Sequence, residues 1–366
     1  MNYLGSSIIS HLKSATFYKG IFSIKSLFKE FVNIMLHASS FPLTVNLLIT
    51  GQCNFSCKMC PGKNPGTMQN YDQTACLNIT DLRNFISRIK IHHPLIHIGG
   101  GEPFMRSDLL EAVAAIKNNK LKCLISTNGF LMNEDDIDKL VKLKVDVLIF
   151  SLYGLEGTHD IITQVKGSFN KAIVNLESIL RKRTKHTKIF VSTLALPENI
   201  NEIKQLTKKL YDLGIDGVKI EQLNFLTQKE YERVISDGKS PDFNPSIFIR
   251  NSHFDHKFVI DLISVYKDIQ KTFKNFVYVK PYLSEAQVMN WYGAVPCRAS
   301  RCFFIAHSVF INYNGDVIPC QFFKESVLGN IKKDTLESIW NSQEYRALRK
   351  NINSKKSIVC LRCCKN

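Results

Sequence analysis

The sequence predicts an α/β protein, a parallel sheet of repeated strand–helix units followed by a small cysteine-rich segment. Three observations carry that expectation. From Val45 to Gln222, apolar β-prone runs alternate with stretches of helical periodicity, giving six strands. The runs are continuously apolar, as strands covered on both faces are. The eleven cysteines fall mostly into two groups, one just after the first strand and one near the C-terminus. Such units form a doubly wound sheet or a partial barrel, and either binds ligands at the carboxyl ends of its strands.

Strands are expected at 45–50, 95–98, 121–126, 145–151, 188–194 and 217–222, with helices at 82–91, 109–118, 134–143, 169–181 and 203–213. The short distinctive motifs should then sit at strand ends, and they do. CNFSCKMC (53–60) follows the first strand, GGGEP (99–103) the second, STNG (126–129) the third and SLYG (151–154) the fourth. Glycines let a backbone approach a ligand closely. Glu102 can accept hydrogen bonds from a cationic amine. STNG alone reads as a turn.

Cys53, Cys57 and Cys60 stand in C-x₃-C-x₂-C spacing. Soft thiolates select iron–sulfur or zinc, and three of them leave one metal position open for chemistry. Cysteines that merely pack as small hydrophobes have no reason to keep this spacing beside Gly51, Asn54 and Pro61. Near the C-terminus, Cys302 precedes a strand at 309–313, an Asn314-Gly315-Asp316 turn and a returning strand ending at Cys320. That hairpin signal brings the two thiols near each other. Cys360 and Cys363 add a C-x₂-C pair, and on spacing alone zinc and iron–sulfur suit the four equally. Cys297 and Cys364 are spare thiols, and Cys76 and Cys123 read as structural.

The 366 residues suggest about two domains, and 45% hydrophobic with 22% charged residues is ordinary globular composition. No run approaches the ~20 apolar residues of a membrane-spanning helix, and the start does not read as a signal peptide. Cysteines at metal-binding spacing without a secretory signal imply the reducing cytoplasm. The net charge of +16 gathers at 181–188 and at both ends of the chain; this reads as a solvated lysine-rich surface, the alternative being attraction to nucleic acid or an anionic membrane. Without an interleaved aromatic–basic pattern, no specific nucleic acid is expected. Residues 1–41 form a basic amphipathic leader with Ile21, Ile24, Leu27, Phe28, Phe31, Val32 and Met35 at helical steps. It caps the next domain, lies on a membrane surface as a peripheral contact, or holds a substrate or partner, capping being the plainest reading. Residues 224–295, with a polar connector at 227–244 and a helix at 256–273, read as a bridge without a catalytic signature.

CNFSCKMC, with Met59 before the last cysteine, and GGEP at Gly100, Gly101, Glu102 and Pro103 resemble the signatures of radical S-adenosylmethionine (radical SAM) enzymes. The resemblance covers 41–222 and implies a partial (β/α)6, TIM-like barrel. Cys302, Gly315-x₄-Cys320, LGN (328–330), IWNS around Trp340 and the final C-x₂-C resemble the SPASM/twitch auxiliary-cluster domain, which favours iron–sulfur over zinc there. The implied domains are the leader (1–41), a radical SAM core (42–223), the bridge (224–295) and an auxiliary cluster domain (296–366).

By this resemblance Cys53, Cys57 and Cys60 hold a 4Fe–4S cluster whose open iron chelates SAM. Met59 packs near the adenine, Glu102 receives the amine, and Asn128 and Ser151 help hold the ribose and carboxylate. One electron cleaves the sulfonium, and the 5′-deoxyadenosyl radical takes a substrate hydrogen. One auxiliary 4Fe–4S cluster, twitch-like, on Cys302, Cys320, Cys360 and Cys363 serves electron transfer. In many relatives the stretch matching 159–169 carries an arginine or a Thr-Gly, where this chain has Thr163-Gln164. A flavodoxin or ferredoxin-type electron donor and a peptide or small-molecule substrate are implied. SLYG followed by HD and GSF resembles the peptide-modifying branch. The rival readings are a membrane-associated lipid- or glycan-modifying radical SAM enzyme and a non-catalytic iron–sulfur or zinc interaction protein.

Overall fold

The computed structural model describes residues 40–60, 76–236, 247–294, 302, 304–324, 326–351 and 358–363. The leader up to residue 39, Pro61, Cys297 and Cys364 lie outside the described residues. The first part of the chain runs β1 (Thr44–Thr50), α1 (Ile79–Ile89), β2 (Leu95–Gly100), α2 (Leu109–Asn118), β3 (Lys122–Thr127) and α3 (Glu134–Lys142). Next come β4 (Val147–Ser151), α4 (Glu156–Thr163), α5 (Ser168–Lys182), β5 (Lys188–Leu194), α6 (Ile203–Asp212) and β6 (Gly217–Glu221). A bridge holds β7 (Phe225–Thr227), α7 (Gln228–Ser236), β8 (Phe248–Arg250), α8 (His256–Phe273), β9 (Val277–Lys280) and α9 (Glu285–Tyr292). The end of the chain carries α10 (Phe304–His307), β10 (Ser308–Ile311), β11 (Asp316–Ile318), β12 (Gly329–Asn330), α11 (Leu336–Asn341), α12 (Gln343–Asn351) and α13 (Ile358–Leu361).

The six strands and five helices expected from periodicity are present with shifted ends. Local chemistry sets several starts. Asn78 and Asp81 form a reciprocal capping box on α1, as Asn133 and Asp136 do on α3. Helix α4 was not expected: it is short, contains Gly157, and its N-cap, Leu155, makes no side-chain cap. Helix α7 lies inside the stretch read as a polar connector; Tyr231 and Val234, three residues apart, pack its apolar side inward.

Strand order decides between the two architectures. The main sheet runs β12-β11-β10-β1-β2-β3-β4-β5-β6-β9, with β1 to β6 consecutive and parallel. A doubly wound sheet reverses its strand order at a switch point. Here there is no reversal across β1 to β6, so the sheet curls as a partial barrel, open between β12 and β9. The apolar residues separate accordingly. Val45, Ile96, Ile98, Cys123, Ile125, Leu148 and Phe150 join the large core under the helices. Leu95, Leu124, Val147, Ile149 and Phe190, on the opposite face, form a small cluster of their own inside the barrel.

Two residues on from that interior cluster, towards the strand ends, stand His97, Ser126, Ser151 and Ser192. The barrel therefore has an apolar floor and a polar mouth. The His97 ring bridges Asn46 Oδ1 at 3.0 Å and Ser126 Oγ at 2.8 Å.

The C-terminal hairpin adds to this sheet directly. β10 pairs parallel with β1, from Thr44 opposite Ser308 to Leu47 opposite Ile311. β11 returns antiparallel through Gly315, whose φ of 92° needs glycine. On the far side β9 extends β6. No described helix is long and apolar enough to cross a membrane.

Candidate metal and cofactor site

The loop after β1 carries Cys53, Cys57 and Cys60, all partly buried. It is fixed from several sides. The Ser56 and Lys58 amides donate to the carbonyls of Thr163 (3.2 Å) and Ile162 (2.9 Å), pairing groups that the last turn of α4 leaves open. The Phe55 amide donates to Cys53 Sγ at 3.4 Å, and the Phe55 ring meets Phe130 edge-on at 5.6 Å. Met59 is buried in the core. Burial pushes the Cys53 thiol up to about 11, with Glu102 and Cys60 adding to the rise. A ligating metal ion reverses that preference, because a coordinated thiol is deprotonated.

The glycines after β2 serve this loop. A Cβ on Gly100 would stand 2.3 Å from the Thr50 carbonyl oxygen, and one on Gly101 would stand 1.9 Å from that of Gln52. The Gly101 and Glu102 amides donate to those two carbonyls at 2.9 and 2.7 Å. Side chains at 100 and 101 would therefore push the cysteine loop off the sheet.

Glu102 is 1% exposed. Its carboxylate accepts from the Thr127 hydroxyl (2.7 Å), the Asn128 amide (2.7 Å) and the Phe104 amide (3.2 Å). Desolvation outweighs these donors and holds its pKa above the usual carboxylate value. Pro103, also buried, starts the short turn that follows. The Asn128 side chain accepts from the Phe130 amide at 2.9 Å and donates to Asn54 Oδ1 at 2.8 Å. The second, third and first strand ends are thus joined through Glu102, Asn128 and Asn54. Asn54 Nδ2 is buried without a partner among the described residues. A buried unpaired donor costs free energy unless a ligand satisfies it, which fits a polar cofactor beside the triad.

Ser151 ends β4 and bonds the Tyr153 side chain. Burial, then the charges of Cys57, Cys60 and Glu221, push the Tyr153 phenol well up. Sequence reasoning named Ser151 and passed over Tyr153 and Asn54. Both lay inside motifs already noted, SLYG and the first cysteine gap. The Tyr153 amide donates to His159 Nδ1 at 3.0 Å and the two rings stack at 5.9 Å. Asp160 is engaged in capping α5, accepting from the amides of Gly167 (2.5 Å) and Phe169 (3.0 Å). Thr163 is fully buried and its hydroxyl donates to the His159 carbonyl at 2.9 Å, so it points into its helix.

Cys302, Cys320, Cys360 and Cys363 line one small cavity with Ile305, Phe322 and Leu348. Its wall is apolar apart from the thiols and Ser326. Arg362, inside the C-x₂-C, is fully buried and ties this wall to the bridge. It donates to both Glu230 oxygens at 2.8 Å and to the carbonyls of Trp291 (2.5 Å) and Gly293 (2.8 Å), and lies 4.4 Å over the Phe225 ring. The LGN motif holds the hairpin, since Asn330 Nδ2 donates to Asp316 Oδ1 at 2.7 Å. Trp340 is buried, with Tyr345 edge-on at 5.0 Å and Arg349 4.1 Å above it. Cys123 sits in the helix-side core, where burial pushes it up to about 12.

Among the described residues no three Cys, His, Asp or Glu side chains converge on a point suited to one metal ion. In a four-iron cluster each thiolate ligates a different iron, so the thiols surround a volume instead. The donor sets fit that: three thiols and an orphaned amide at the first site, four thiols around a dry cavity at the second.

Comparison with known proteins agrees. The family model described as "Radical SAM superfamily" matches residues 47–235, more than half of the chain. The model described as "SPASM: Iron-sulfur cluster-binding domain" matches 302–364. A tungsten-containing aldehyde ferredoxin oxidoreductase cofactor-modifying protein of Pyrococcus furiosus is 24% identical, over 83% of this chain and 82% of that one. An AdoMet-dependent heme synthase of Methanosarcina barkeri is 23% identical, over 86% and 87%. The subtilosin biosynthesis protein AlbA of Bacillus subtilis is 24% identical over 82% of this chain and 60% of its own. Among solved structures, Streptococcus suis SuiB bound to precursor peptide SuiA superposes with a TM-score of 0.63 at 18% identity, covering 93% of this chain and 75% of SuiB.

Proposed function

The chain belongs to the radical SAM superfamily and carries a SPASM domain, and from that premise we propose that it modifies a peptide by hydrogen abstraction, with one auxiliary 4Fe–4S cluster carrying electrons. It is an enzyme of a family that uses a 4Fe–4S cluster and SAM, and SPASM domains bind auxiliary iron–sulfur clusters. Bound together, cluster and SAM supply the one-electron chemistry that generates a hydrogen-abstracting radical.

The observation that carries the site assignment is the joining of three strand ends through Glu102, Asn128 and Asn54 around the cysteine loop. Cys53, Cys57 and Cys60 hold the first cluster and Met59 packs beneath the loop. Gly100 and Gly101 let β2 close on that loop. Glu102 orients Asn128 from below and so supports the SAM pocket. Asn54 offers its spare N–H to the cofactor, and Ser151 with Tyr153 forms the next wall. The apolar floor keeps water away from the reacting carbon. Cys302, Cys320, Cys360 and Cys363 hold the second cluster.

The peptide reading is supported by SLYG, HD and GSF in order, by AlbA, and by the likeness to SuiB. A tetrapyrrole substrate is the second reading, supported by the heme synthase that spans most of both chains. The electron donor is proposed to be a flavodoxin or ferredoxin, in the cytoplasm. Anaerobic reconstitution with dithionite and SAM tests the chemistry: 5′-deoxyadenosine is expected, and none from a fully loaded enzyme refutes it. Deuterium transfer into 5′-deoxyadenosine from a labelled precursor peptide, and not from a porphyrin, separates the two substrates.

A further inference from the structure

Tyr345 is fully buried, and its hydroxyl has no hydrogen-bond partner among the described residues. On the same face of α12 stand Leu348 and Arg349, three and four residues on. Leu348 lines the four-cysteine cavity. Burial pushes the Tyr345 phenol well up; the nearby Arg349 opposes that, and Cys320 and Cys302 add to it. Arg349 sits 4.7 Å above the Tyr345 ring, and its Nη1 is likewise buried and unpaired. Two donors without partners among the described residues share one helix face with Leu348 of the four-cysteine cavity, and buried donors are costly unless an acceptor meets them.

We propose that the Tyr345 hydroxyl, with Arg349 above its ring, donates a hydrogen bond to a sulfur of the auxiliary cluster and raises that cluster's reduction potential. The inference rests on the assignment of Cys302, Cys320, Cys360 and Cys363 as ligands. Hydrogen bonds to cluster sulfurs are one of the levers that set such potentials. A donor aimed at sulfur stabilises the reduced form, which carries more negative charge. The cation over the ring polarises the O–H further. Tyr345 is thus a positioning and tuning residue; it transfers nothing itself.

The test uses the full chain with Cys53, Cys57 and Cys60 replaced by alanine, so that only the second cluster is read. After anaerobic reconstitution, iron is counted, the midpoint is titrated by EPR, and exchangeable protons coupled to the reduced cluster are sought by pulsed EPR in H₂O and D₂O. Tyr345→Phe keeps the ring on Trp340 and Arg349 and removes only the hydroxyl. The ratio of reduced to oxidised cluster at the parent's midpoint is expected to fall about tenfold, a downward shift of about 59 mV for one electron, with the loss of one exchangeable proton coupling. Arg349→Gln is expected to shift the potential the same way without losing that coupling. Failure to load about four irons in the triad-deleted chain overturns the ligand assignment. A fully loaded Tyr345→Phe cluster with unchanged potential and unchanged proton coupling overturns the tuning role alone.

Discussion

Replacing Glu230 with alanine isolates the bond that holds the second cysteine wall to the bridge. The Arg362 side chain is 0% and that of Glu230 11% exposed, and both guanidinium–carboxylate contacts are 2.8 Å. Glu230→Ala leaves a buried guanidinium whose remaining acceptors are two carbonyls, and breaking such a pair costs about 3–5 kcal/mol. Arg362→Met leaves Glu230 with the Thr227 amide and the His253 ring, so a smaller loss of about 2–3 kcal/mol is expected. The double variant should show a coupling of about 2 kcal/mol in a double-mutant cycle.

The pH dependence has a definite sign. Desolvation raises the Glu230 pKa, but the Thr227 amide, Arg362 and His253 outweigh it and leave the group below its ordinary value. Its contribution is therefore present above the unfolded carboxylate pKa and lost as pH falls through the lower folded one. The gap between wild type and Glu230→Ala should close in acid. Anaerobic urea unfolding read by circular dichroism measures all of this. A cost for Glu230→Ala below about 1 kcal/mol, or strict additivity, refutes the reasoning.

Gly101→Ala should displace the cysteine loop, removing the first cluster's EPR signal while leaving the second. Glu102→Ala leaves two buried donors and one half-buried one without their acceptor, and a destabilisation of about 3 kcal/mol with loss of SAM binding is expected by calorimetry. Iron analysis of the loaded chain should give about eight irons, falling to about four when Cys302 and Cys320 become alanine. Burial pushes His159 from 6.5 down to about 4. The folded state thus binds fewer protons between these values, and stability falls by up to about 3 kcal/mol as pH drops across them. His159→Gln should flatten that slope in acid-dependent melting curves.

Much of this was legible because the signals were periodic or chemical. The strand runs ending at Thr50, Ser126 and Ser151 declared both the sheet and the rim. What stayed hidden depends on three-dimensional neighbours. Nothing local says that Gly101 faces the Gln52 carbonyl, or that Glu102 is spent on Thr127 and Asn128. Arg362 reads as an ordinary basic residue between two cysteines until Glu230, over a hundred positions away, is seen beside it. The sequence shows the strand at 309–313 only as one arm of a hairpin. Its pairing with β1 follows from an open barrel edge that no sequence window contains.

That pairing has a mechanical consequence. Adjacent strands in a sheet are held ~4.8 Å apart by a ladder of amide bonds, so β1, which delivers one set of thiols, and β10, which lies between the other set's first two cysteines, cannot drift independently. The spacing of the two cysteine sets is built into the girder of the barrel rather than left to a tether. A chain cut before β10 would lose more than the second set of thiols. It would bare the backbone edge of β1, the strand on which the first cysteine loop hangs, and offer it to any other exposed strand.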